Sequence, residues 1–110
     1  MSEQATYVEG LIGHLEPFEN RPHAQKVLKT ESAHVVVFEF GAGHHLRDHA
    51  AAHPVVIQVV RGHARFTYTE NGDEHTVDLR PGDLIHLTAM LRHEVLAVEP
   101  TTLTVTMLLA

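Results

Sequence analysis

The sequence predicts an all-β domain of the barrel or sandwich kind, and three observations carry that expectation. Short β-branched and aromatic runs recur through most of the chain. Turn signals separate them at intervals of about 8–12 residues. Helical periodicity is confined to one short segment near the start.

The elements follow in chain order. Val8, Leu11, Ile12 and Leu15 recur at i, i+3, i+4 and i+7, the spacing of one helical face. Gly10 and Gly13 weaken that face, and Pro17 and Pro22 end it, so a short helix or turn is expected. An irregular stretch and an edge strand around Gln25–Thr30 complete an N-terminal arm, residues 1–33. From His34 the text is β. The run His34–Phe40 (HVVVFEF) stops at Gly41-Ala42-Gly43, and Pro54 precedes Val55–Arg61 (VVIQVVR), which ends at Gly62. His63–Thr69 alternates, with Ala64, Phe66 and Tyr68 on one face and His63, Arg65 and Thr67 on the other. Asn71-Gly72-Asp73 is a hairpin signal, because Asn and Gly tolerate the positive φ that such turns demand. Glu74–Leu79 returns, and Arg80-Pro81-Gly82-Asp83 turns into Leu84–Thr88. Arg92–Val98 and Thr101–Leu109 finish the chain, with Leu103, Val105, Met107 and Leu109 opposing Thr102, Thr104 and Thr106. Residues 34–110 form the expected barrel, of seven strands, or eight with the arm's edge strand.

Composition narrows the function classes. At 110 residues there is room for one domain and one core. The absence of cysteine excludes disulfides, thiolate metal sites and a cysteine nucleophile, and suits a reducing cytoplasm, the compartment expected here. No apolar run approaches the roughly 18–20 residues that span a bilayer, and MSEQATYVEG lacks the basic and apolar regions of a signal peptide. With a net charge of −6 and no Lys/Arg cluster, a nucleic-acid surface is not expected. Ser2 and Ser32 are the only serines, and neither sits at a nucleophile elbow. Histidine is the anomaly. Full protonation of all eleven would take the formal charge from −6 to +5, so solubility should respond to pH near the ordinary imidazole value of about 6.5.

Two segments resemble a known family. Gly82–His93 (GDLIHLTAMLRH) resembles the second motif of the cupins, G-x5-P-x-G-x2-H, with Gly82 and His93 matched and Thr88 and Met90 at the Pro and Gly positions. The turn there is therefore expected to be made differently. Gly43–Gly62 resembles the first motif, G-x5-H-x-H-x3-E-x6-G. Gly43, His49 and Gly62 match, while Ala51 and Val55 stand at the second His and the Glu. The start Leu46-Arg47-Asp48-His49 and the run Gln58-Val59-Val60-Arg61-Gly62 are similar to those of small single-domain cupins. The resemblance implies a double-stranded β-helix, the jelly-roll barrel. It also implies a divalent transition metal (Mn, Fe, Ni, Zn or Cu) held by histidines in the barrel, and a homodimer.

His49 and His93 occupy matched ligand positions. Were the chain extended from 49 to 55, period-2 parity would place His53 on the same face, so His49, His53 and His93 are the expected metal ligands. Pro54 and the alanine run make that parity conditional. Gln58 faces away by the same parity and reads as a buried amide satisfying the backbone. His14, His23, His44, His45 and His75 read as surface residues, with His44 or His45 able to reach the pocket mouth. His34, His63 and His86 are open to either face. Phe66, Tyr68, Met90 and Met107 are candidate pocket walls. Asp48 and Glu94 should point away from the key histidines, and no catalytic residue is assigned. Two readings follow: a metal-dependent enzyme of dioxygenase or isomerase type on a small organic substrate, or a non-catalytic ligand-binding or sensor domain. A third is a dimeric partner module whose arm pairs with a neighbour.

Overall fold

The computed structural model describes residues 3–109, in nine strands and no helix. They are β1 (His23–Lys29), β2 (Ala33–Phe40), β3 (His45–His49), β4 (Val55–Arg61), β5 (Ala64–Glu70), β6 (Asp73–Leu79), β7 (Leu84–Leu87), β8 (His93–Ala97) and β9 (Thr101–Leu108). A five-stranded sheet in the order β1-β2-β9-β4-β7 faces a four-stranded sheet in the order β3-β8-β5-β6. After the β1–β2 hairpin the chain changes sheet at every connection except β5–β6, which winds both sheets into one barrel. The apolar alternation of each strand supplies the interior: Phe40, Ile57, Phe66, Val95 and Leu103 are each at most 2 % exposed.

Most elements match the sequence expectation. Ala64, Phe66 and Tyr68 share the inner face of β5, and Asn71 and Gly72 take φ values of 52° and 84°, the pattern of a tight hairpin. Three features differ. Val8–Leu15 makes no helix; Gly10 and Gly13 sit at φ 73° and 74°, and a turn forms instead. β3 carries almost no β signature (HLRDH), and forms because β8 offers it a partner. Its register shifts between Leu46 and His49, a bulge that brings both side chains inward although they are three residues apart. The turn before His93 keeps a left-handed backbone: Met90, at the motif's glycine position, has φ 68°.

That conformation costs a non-glycine residue roughly 1–2 kcal/mol. Met90→Gly removes the strain, and glycine's larger unfolded-state entropy takes back about 0.5–1 kcal/mol. The expected net is a gain of about 0.5–1 kcal/mol, a rise of a few degrees in Tm by calorimetry. An unchanged or lower Tm would show that Met90 is not strained.

The arm lies over the outer face of the large sheet, and histidines fasten it. His14 Nε2 meets Gln25 Oε1 at 3.2 Å, and His23 Nδ1 donates to the Glu16 carbonyl at 3.0 Å. His44 Nδ1 accepts from Gly41 N–H at 2.9 Å while its Nε2 donates to the Glu19 carbonyl at 3.2 Å. Beside this seam Glu39, only 3 % exposed, shares the one hydroxyl hydrogen of Thr102 between its two oxygens (2.7 and 3.0 Å from Oγ1) and accepts from Arg61 at 3.3 Å. No described helix is long and apolar enough to cross a membrane.

Candidate functional site

A cavity of about 160 Å³ lies between the sheets. Val36 and Phe38 of β2, Val55 and Ile57 of β4, and Val105 and Met107 of β9 line one side, with Leu46, His49, His93 and Val95 opposite. His49 and His93 are direct cross-strand partners, and their ring centroids are 4.3 Å apart.

Both imidazoles are held in the same way. His49 Nδ1 lies 3.1 Å from the Arg47 carbonyl, and His93 Nδ1 lies 2.9 Å from that of Leu91. A carbonyl oxygen only accepts, so each Nδ1 carries the hydrogen, and in the neutral ring each Nε2 keeps its lone pair. His93 is 5 % exposed and stacks on Phe66 at 5.5 Å; His49 is exposed at the mouth. Burial pushes the His93 imidazole below its ordinary pKa, helped by His49, while the Leu91 carbonyl and Asp48 act against this. An Asp48–Arg92 ion pair flanks the two rings, and Met90 N–H donates to the Ala51 carbonyl at 2.7 Å. These two links clasp the end of β3 and the loop after it to the loop before β8.

The depressed His93 pKa fixes the sign of a pH effect. Below about pH 6.5 the unfolded chain takes up a proton that the folded chain resists. The stability His93 contributes is therefore present above that pH and lost as pH falls towards the folded value. Tm should drop between pH 7 and 5, and His93→Phe should flatten part of that slope. Superimposable slopes in the two proteins would contradict the assignment.

The sequence candidates fall into place unevenly. His49 and His93 are brought together. His53 is not brought to them: β3 ends at His49, the chain leaves extended geometry before Pro54, and His53 is exposed near His34, whose pKa it helps to lower after burial, Lys26 and Lys29. Among the described residues no three His, Asp or Glu side chains converge in a metal-binding group. Gln58 is exposed on the outer face of β4, not buried. His86, opposite Val56, is also exposed on that face. Asp48 and Glu94 point away from the cavity as parity requires. Of the proposed walls Met107 lines the cavity, Phe66 backs His93, and Met90 is 64 % exposed. Tyr68 pairs with His93 and stacks on His75 at 5.2 Å, so a row His49–His93–Tyr68–His75 crosses the small sheet. His75 was legible only once the register of β6 was known.

No family model and no curated protein matches the chain. Solved structures do. A cupin superfamily protein of Desulfitobacterium hafniense DCB-2 superposes with a TM-score of 0.79 at 17 % identity, over 98 % of this chain and 94 % of that one. The fold is the cupin barrel. A Klebsiella pneumoniae protein with a double-stranded β-helix domain gives 0.80 at 19 % identity, over 94 % and 90 %. A variant of Bacillus subtilis oxalate decarboxylase gives 0.77 at 20 % identity, over 86 % of this chain and only 27 % of that larger one.

Within the cupin frame the four motif ligand positions, 49, 51, 55 and 93, all line the cavity. Two hold imidazoles. The other two hold the side chains of Ala51 and Val55, which donate nothing. A cupin centre of three imidazoles and a carboxylate does not fit this set, and two neutral nitrogens alone bind a divalent ion weakly.

Proposed function

We propose that this domain is a small-molecule-binding cupin whose cavity takes a compact, mainly apolar molecule against the His49–His93 pair. The observation that carries the reading is the alkyl character of Ala51 and Val55 at the positions where the motif places ligands, inside the cavity. The walls bury an apolar body, and the two Nε2 lone pairs orient one polar group, the usual division of labour in ligand sites. Oxalate decarboxylase is similar in fold alone, and its Mn(II) centres are not carried over to this chain. A second reading keeps a metal: an Nδ1–H donated to a carbonyl is the arrangement metal-binding histidines adopt, and both rings have it. In that case water or ligand must supply every remaining donor.

Methyl-resolved NMR of the purified protein tests the first reading. Titration with small apolar molecules should shift the methyl signals of Ala51, Val55 and Met107 saturably. Absence of any saturable shift across such a panel would sink the proposal.

A further inference from the structure

We infer that the cavity is built for a single aromatic ring bearing a hydroxyl group, a phenol; the inference rests on the small-molecule reading above. Size sets the first limit. A dry apolar cavity of about 150 Å³ accepts benzene, and this one measures about 160 Å³, room for one ring and a substituent but not for two fused rings. The walls set the second. Phe38 and the Met107 thioether among its walls are both good partners for an aromatic face.

The polar groups set the third limit. Both lining imidazoles have committed their N–H to backbone carbonyls, so what they turn towards a ligand is an acceptor. No Arg, Lys, Ser, Thr, Asn or Gln lines the cavity. A carboxylate or phosphate would meet neither a donor nor a positive charge, and its burial there would be uncompensated. A neutral ligand with an O–H donor is matched instead. A phenolic O–H is a stronger donor than an alcoholic one, and the imidazole lone pair is the strongest neutral acceptor among side chains.

The test compares phenol, benzene, cyclohexanol and benzoate on the full chain by methyl NMR titration. Phenol should bind at least tenfold more tightly than benzene or cyclohexanol, and benzoate should not compete. His49→Phe/His93→Phe keeps a ring at both positions but removes both acceptors, and should bring phenol down to the level of benzene. Benzene or cyclohexanol binding as tightly as phenol in the wild type would overturn the phenol assignment and leave the small-molecule reading intact. Persistence of the phenol preference in a folded His49→Phe/His93→Phe protein would overturn it too. No binding of any of the four would overturn both.

Discussion

Gly62→Ala is expected to cost about 3 kcal/mol or more, lowering Tm by roughly 12–20 °C. Two independent causes combine. Gly62 has φ +100°, a conformation that side chains with a Cβ rarely adopt. A Cβ built there would also lie 2.6 Å from Thr101 Oγ1 and 2.8 Å from Thr101 Cα, and closer still to the Pro100 carbonyl. Those atoms cannot yield easily. Thr101 is fully buried and its hydroxyl is committed, accepting from His63 N–H at 3.1 Å and facing the carbonyls of His63 and Glu99. The substitution must therefore move the β4–β5 connection away from the start of β9. Thermal or urea unfolding checks this, and a loss below about 1 kcal/mol would mean that the two segments are not tightly apposed.

Thr102→Val is expected to destabilise by about 1.5–3 kcal/mol although it keeps the side chain's shape. The Thr102 hydroxyl, with no exposure, shares its one hydrogen between the two oxygens of the Glu39 carboxylate, whose other side-chain partner is Arg61. Removing it leaves a charge 3 % exposed with only the longer contact to Arg61. Leaving a buried charge short of partners is what makes such changes costly. The double variant Glu39→Gln/Thr102→Val should lose less than the sum of the two single changes, because the charge is gone with the hydroxyl. Strict additivity of the two would show that they do not interact.

Strand pattern and turn chemistry made most of the barrel readable. Alternation in β5 and β9, the Asn71-Gly72 hairpin and the glycine after β4 are local signals, and they survive in the structure. The misreadings have physical reasons. HLRDH has no propensity to be a strand, and only its partner β8 makes it one. The apolar spacing of Val8–Leu15 was helical on paper, but glycines at positive φ turn the chain instead. Thr88 and Met90 suggested a different turn, yet the tertiary contact between Met90 N–H and Ala51 holds the left-handed backbone without glycine.

At the site the motif spacing located the cavity but not its full lining. His49, Ala51, Val55 and His93 face inward as the motif positions imply. His53 was misplaced because parity was carried across a segment that is not extended. The bulge between Leu46 and His49 has no sequence signal, and neither does the backbone carbonyl that fixes each imidazole tautomer. The donor set, two imidazoles and two alkyl groups, is the central result.

Metal retained per chain after incubation with Mn²⁺, Fe²⁺, Ni²⁺, Zn²⁺ or Cu²⁺ and gel filtration tests that result most directly, measured side by side on the wild type and on Ala51→His/Val55→Glu. The alkyl walls predict far less than one metal per wild-type chain, and close to one per chain in the double variant, whose new groups complete the four ligand positions. One metal per wild-type chain, lost in both His49→Ala and His93→Ala, would contradict it.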